Sequence, residues 1–548
     1  MSNSTTLTYP LSAPPVVLSG LEPYSGPWEY EQAAHLLRRT TFGPTRAVIR
    51  QAVDQGLAAT IEQLFDDLPM PEPPVNPAYD SDPNVAIGES WVDKGYSSPN
   101  PPDEMEYRER SLFAWTIGQM MNEEISIREK LTLFWHNHFP IAAIEDPRYM
   151  YRYITTLRAH AWGNFKELAK AITIDPSMLI YLNGNRNSFE APNENYAREL
   201  LELFTIGKGP SAGPGDYTNY TEHDVREMAR VLSGWEDYGF TAEEPDSEVG
   251  AEFKPEKHDT GTKTLSHRFG NKTITNMGED EYSHLIDVIF EQDQVARFIA
   301  RRLYIWFVDY KIEEDAETDV IGAMAQILID NNYEIKPALQ TLFGSQHFFD
   351  MRNKGLMIKN PIDFLLSIYK PLEISLPEPT DQKYDAWYRV FGFADEMKMS
   401  YFQVPEVAGW DSYYREPLFY RLWINSTTLP IRMRISETLI MEGYFPFGAN
   451  GPKMHPDLLG IIATFSNPTN PNVVIDEFAQ ILLPMPITDG QKAALKELLI
   501  PGLPDFEWTL EYGEYAANPD NSDLANAIDE KVRIMVKTML SMAEFYLS

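Results

Sequence analysis

The segment Pro192-Asn193-Glu194-Asn195-Tyr196-Ala197-Arg198-Glu199-Leu200-Leu201-Glu202-Leu203-Phe204 decides the fold class. Advancing 100° per residue puts Glu194, Asn195, Arg198, Glu199 and Glu202 on one stripe. Tyr196, Ala197, Leu200, Leu201, Leu203 and Phe204 fill the rest of the circumference. Such a split is the signature of an α-helix with one polar face. Arg198 lies four residues from both Glu194 and Glu202. The stripe is therefore either a solvated ladder of pairs, worth a few tenths of a kcal/mol each, or the polar wall of an internal site. Both readings stay open at this point.

Helical patterns continue outward on both sides. Trp28 to Thr41, Thr45 to Asp67 (broken at Gly56), Glu104 to Asn183, Thr221 to Trp235, Gln294 to Tyr310 and Asp523 to Leu547 all read as helix. Gly239 to Glu279 is polar and carries short β-like pieces. Leu68 to Asp103 is rich in Pro, Asn, Ser and Gly, and a segment of that kind reads as a lid or a partner-contacting loop. The fold class expected is mainly α: a large irregular multi-helix domain with a small β-hairpin insertion. The organisation reads as an extended arm over 1–27, a helical domain over 28–440 and a C-terminal helical extension over 441–548. The long loop (68–103) and the β-bearing insertion (239–279) belong to the helical domain.

Composition narrows the function. The 548 residues are 43% hydrophobic and 12% aromatic, enough for a large core, and the net charge is −35. That charge, with no Lys/Arg-rich stretch to offset it, argues against nucleic acid or an anionic membrane as partner. The absence of cysteine removes disulfides, thiolate metal sites and cysteine nucleophiles. No run reaches the length of a membrane span. Met1 to Val17 is Ser/Thr/Pro-rich and does not read as a signal peptide.

Ser126 and Glu129 form a capping-box pattern that starts a helix, and Pro140 stops it near His138. His136 and His138 within it invite a metal-site reading, but residues two apart on a helix point about 200° apart. They chelate one ion only if the helix has ended or a π-type turn intervenes. Thr221-Glu222-His223-Asp224 reads as a second capping box, which explains an aspartate on an apolar face. His258-Asp259, beside Gly261, is either a catalytic dyad or an Asx turn. P-loop, Gly-x-Gly-x-x-Gly and His-Glu-x-x-His patterns are all missing.

Taken in order, several stretches resemble a known family. They are His35 to Gly43, Phe134-Trp135-His136-Asn137-His138-Phe139, Gly163-Asn164-Phe165, Asp175 to Leu179, Pro192 to Gly207, Tyr220 to Trp235, His258-Asp259 with Lys263, and Gln403 to Trp410. Together they are similar to the large bacterial family catalogued as domain of unknown function 1800, over roughly residues 28 to 440. One departure is Asn183, where the family pattern has an aspartate, and this weakens a ligand role there. The resemblance implies an uncharacterised protein, often exported, whose relatives are often encoded beside a sulfatase-like protein. It also implies that His136, His138, Glu194, Arg198 and Glu199 belong to the family's pattern.

The leading expectation is a metal-dependent or His/carboxylate enzyme, hydrolytic rather than redox. Glu194, Arg198, His258 and Asp259 are the catalytic candidates. His136, His138, Glu199 and Glu202 are the candidates for a divalent metal. The competing expectation is a non-catalytic binding or assembly protein of the cell envelope, its polar network serving only to specify packing.

Overall fold

The computed structural model describes residues 20–444 and 453–548. Most of the extended-arm reading and most of the Pro/Gly-rich stretch Phe445 to Pro456 lie outside the described residues. Helices dominate the rest. In chain order they are α1 (Tyr30–Thr40), α2 (Arg46–Gln55), α3 (Leu57–Leu64), α4 (Pro102–Asn122), α5 (Arg128–His138), α6 (Pro147–Ala159), α7 (Phe165–Thr173), α8 (Pro176–Tyr181), α9 (Glu194–Glu199) and α10 (Glu222–Val231). They continue with α11 (Glu281–Ile289), α12 (Asp293–Phe307), α13 (Gly322–Asp330), α14 (Ile335–Phe343), α15 (Pro361–Tyr369) and α16 (Thr380–Glu396). The last are α17 (Thr428–Glu437), α18 (Leu458–Ala463), α19 (Pro471–Leu482), α20 (Asp489–Leu499), α21 (Phe506–Ala517) and α22 (Ser522–Leu540). The fold is mainly α with small hairpin elements.

The hairpins are antiparallel and two-stranded: β1 (Ser211–Gly213) with β2 (Asp216–Tyr217), β3 (Trp235–Tyr238) with β4 (Gly250–Phe253), and β5 (Lys263–Thr264) with β6 (Thr273–Ile274). Trp235 is therefore a strand residue, not the end of a helix. Helix α10 stops at Leu232, and Gly234, at φ +96°, turns the chain into β3.

Local chemistry sets most helix starts. The side chains of Thr45, Asn164, Asp175 and Asn193 accept the first free backbone N–H groups of α2, α7, α8 and α9. At α10 the capping box between Thr221 and Asp224 forms in both directions. At α5 the helix forms but the expected box does not. Ser126 Oγ accepts from Arg128 N at 3.1 Å, Glu123 accepts from Glu129 N at 3.0 Å, and Glu129 turns away to pair with Arg158. A buried bidentate arginine is a stronger partner for that carboxylate than one N–H group.

Buried apolar residues from Ala33 to Tyr546 form one contiguous cluster. Helices α4 and α16 lie alongside each other within it. Gly118, in the middle of α4, allows this contact, because a Cβ there would sit 2.8 Å from the Trp387 indole. The long 68–103 segment is anchored to the helical body at several buried points. Trp91 is fully buried and donates to Ser111 Oγ at 3.1 Å. The Tyr96 ring lies between the guanidinium groups of Arg108 and Arg148, at 4.3 and 4.7 Å. Arg108 pairs with Asp82 at 2.7 Å and donates to the Lys94 and Gly95 carbonyls. A few anchors bind an otherwise irregular strap to the helical body.

Candidate functional site

The two histidines of α5 are buried and face different neighbours, as an unbroken helix requires. His136 Nε2 accepts the Phe402 N–H at 3.0 Å. Its Nδ1 therefore carries the proton and donates to Tyr153 Oη at 2.9 Å, and that hydroxyl donates to the Phe139 carbonyl at 2.5 Å. Both ring nitrogens are spent, and burial pushes the ring's pKa down to about 3. His138 Nε2 meets the Phe204 carbonyl at 2.9 Å, and burial with nearby Arg302 pushes its pKa down to about 3 as well. Its Nδ1 has no partner and is surrounded by aromatic rings. Neither ring's hydrogen bonds go to a carboxylate of α9.

Asn137, between them, accepts the Trp410 N–H at 2.9 Å. Gly409, at φ +99°, makes that approach possible, since a Cβ there would lie 2.5 Å from Asn137 Oδ1. The His136–His138 motif and the Gln403–Trp410 motif therefore dock onto each other.

The polar stripe on α9 turns out differently from the ladder reading. After Glu199 the chain enters a π turn over Leu200–Thr205, so 100° per residue no longer holds. Glu202 leaves the Arg198 line. It accepts from Tyr220 Oη at 2.7 Å and pairs with Lys208 at 3.3 Å. Arg198 instead makes a bidentate pair with Glu222 of α10, both contacts at 2.7 Å, and a longer 3.4 Å contact to Glu194. These hydrogen bonds raise the pKa of Arg198 and lower that of Glu222. Glu199 is half-buried, and desolvation followed by the Glu202 charge pushes its carboxyl up. The network is a partly exposed rim. Among the described residues no group of three or more potential metal ligands converges, so His136, His138, Glu199 and Glu202 do not form one site.

His258 and Asp259 part company too. Asp259 pairs with Arg230 and accepts the Gly261 N–H at 2.8 Å, closing an Asx turn. His258 faces the Ser233 carbonyl at 2.8 Å and Glu281 at 3.1 Å. Burial pushes the Glu281 carboxyl up, but hydrogen bonds from His258 and buried Lys263 outweigh it and hold the pKa below its ordinary value. Ser233, His258 and Glu281 lie in a line that mimics a nucleophile–base–acid order. Ser233 Oγ is fully buried, however, and donates to the Arg230 carbonyl at 2.7 Å. Glu281 carries no local sequence signal. It is recruited from the start of α11 by the tertiary fold.

One acid–base pair escaped the sequence reading. A cleft of about 320 Å³ between the end of α4 and the end of α15 holds Glu123 and Lys370. Lys370 Nζ donates to the Glu123 carbonyl, and Glu123 Oε2 is buried without a partner. Desolvation pushes the carboxyl up and the ammonium down. The two residues are 247 apart in sequence, so spacing could not join them. Asn183, the family departure, occupies a left-handed position at φ +56° that suits asparagine, and its carbonyl accepts from Asn193 at 2.8 Å.

The sequence model of a family described as "Protein of unknown function (DUF1800)" matches residues 35–547, past residue 440 where the resemblance read from motifs stopped. No curated protein and no solved structure matches the chain.

Proposed function

This chain belongs to the DUF1800 family, and from that premise we propose that it works as a non-catalytic binding or assembly protein whose shared motifs build its scaffold. One observation carries the reading: His136, Asn137 and His138 each bond one backbone group, of Phe402, Trp410 and Phe204 respectively. Such bonds join segments distant in sequence, and all three side chains are buried away from solvent. The cell envelope is the location this reading puts forward, and the sulfatase-like neighbour implied by the resemblance is the partner. Elemental analysis of the native protein, purified without chelator, tests the reading. We expect no transition metal at one equivalent. A stoichiometric metal lost in the His136→Gln variant would overturn it.

The Glu123–Lys370 cleft supports a second reading, an acid–base enzyme. A carboxyl pushed up and an ammonium pushed down, facing one cleft, suit proton transfer near neutral pH. Under this reading, a hydrolytic activity of the purified protein disappears in Glu123→Gln while the circular dichroism spectrum is unchanged. Activity that survives the substitution removes the reading.

A further inference from the structure

In a chain of net charge −35, one small pocket has the opposite character. It lies at the N-terminus of α15. Arg38, Arg39, Lys130 and Lys359 line it, Asp363 is the one acidic side chain among its lining residues, and the last residue, Ser548, borders it. Arg39, Lys130 and Lys359 are each 4% exposed, and Arg432, whose guanidinium donates to the Lys359 carbonyl at 2.9 Å, is fully buried. Asp363 is already committed to Lys130 and to the Asn360 amide at 2.8 Å. Asp309 is a further acid acting on Arg39.

The bland account is that these cations cap helix ends. Arg38 donates to the Leu483 carbonyl after α19, Arg39 to the Val308 carbonyl after α12, and Lys359 to the Phe545 carbonyl. Capping explains where the side chains lie. It does not supply enough acceptors, because a guanidinium carries five N–H donors in a fixed fork. Arg39 Nε, Arg432 Nε and Arg432 Nη1 are all buried with no partner. Burial, with the Arg38, Arg432 and Lys130 charges adding to it, pushes the Lys359 ammonium well below its ordinary range. The site is rich in donors and short of acceptors and negative charge.

We propose that this cavity binds one compact inorganic anion of chloride size, held by Arg39, Lys130 and Lys359 beside the start of α15, with Arg432 behind them. Size follows from the room available: about 20 Å³ for the centre of a water-sized group, which admits a single small ion and not an extended ligand. The role is structural. The ion ties together α1, α5 and α15, and it goes beyond the binding reading above without depending on it.

The test uses the full chain in a gluconate buffer at constant ionic strength, titrated with chloride or bromide. The thermal midpoint should rise saturably with either halide. Arg432→Met and Lys359→Met remove a buried cation and keep the volume, and they should abolish the response. Should those variants fail to fold, bromide-soaked crystals of the wild-type protein decide the matter, because an anomalous peak is expected between Arg39 and Lys359. A flat halide titration, a response to phosphate but not to halide, or a bromide peak elsewhere with this cavity empty would each overturn the proposal.

Discussion

At the scale of single residues, the motifs around His136 and Gly409 act through specific buried hydrogen bonds. His136 must accept from Phe402 N and donate to Tyr153 Oη at once, and a neutral imidazole does both. Phe402 sits at φ +65°, a strained position that this bond helps to hold. His136→Gln should therefore cost about 2–4 kcal/mol of unfolding free energy at pH 7.5. The pH dependence has a definite sign. The folded pKa is about 3, below the ordinary 6.5, so the folded state binds fewer protons between those values. Stability from this group is full above 6.5 and falls as the pH drops toward 3, by about 1.4 kcal/mol per unit. Asp175, whose pKa burial raises to about 7, slopes the opposite way but is common to both proteins. Urea titrations at pH 7.5 and 4.5 should show the gap between wild type and variant narrowing as the pH falls. A constant or widening gap counts against a neutral, bonded His136. Gly409→Ala tests the same junction from the other side. Its Cβ would strike Asn137 Oδ1 at φ +99°, and a loss of about 2 kcal/mol or more is expected by the same titration.

At the scale of elements, local signals were legible and tertiary ones were not. Gly56 between α2 and α3, the Thr221–Asp224 box and the stop at Pro140 could be read from sequence because each acts within one turn of chain. The π turn at Leu200–Thr205 could not, since a wheel drawn at 100° per residue assumes the geometry it is used to find. That error placed Glu202 beside Arg198, whereas Arg198 meets Glu222 from the next helix. The candidate site suffered most, because Glu281, Lys370 and Arg432 are brought to their partners only by packing. The 68–103 strap shows the same limit. Its average composition is that of a loop, and averages hide Trp91, Tyr96 and Asp82. Replacing residues 70–100 with a short Gly/Ser linker removes Asp82, the ion-pair partner of fully buried Arg108, and the Trp91 packing. Losing the partner of a buried charge costs about 3–5 kcal/mol. The thermal midpoint should drop sharply or the chain should fail to fold. An unchanged melting curve would restore the lid reading.

At the scale of the whole molecule, the excess of acid governs what can approach. The charge of −35 makes a polyanion an unfavourable partner unless a local basic surface offsets it. The one run that suggests such a surface is Arg297, Arg301 and Arg302 on α12, and an acid, Glu317, offsets it at the surface. Arg301 Nε pairs with Glu317 at 2.8 Å, and Arg297 lies 4.0 Å from the same carboxylate. Burial lowers the pKa of Arg302 to about 10. Apolar residues on that helix, Leu303, Trp306 and Phe307 among them, face the core. The cations around α15 are also withdrawn from the surface, in a space too small for a phosphodiester chain. Nucleic-acid affinity rises with the number of phosphates neutralised by exposed cations, and exposed cations here such as Lys311, Arg415 and Arg434 pair with acids. A gel shift with DNA or RNA, and pelleting with anionic vesicles, should show no binding at micromolar protein and physiological salt. The proposed anion site does not weaken this expectation, because it takes a single ion and leaves the surface potential negative. Micromolar binding that falls steeply with added salt would reveal an exposed basic face, and would shift attention from small ions and protein partners to polyanions.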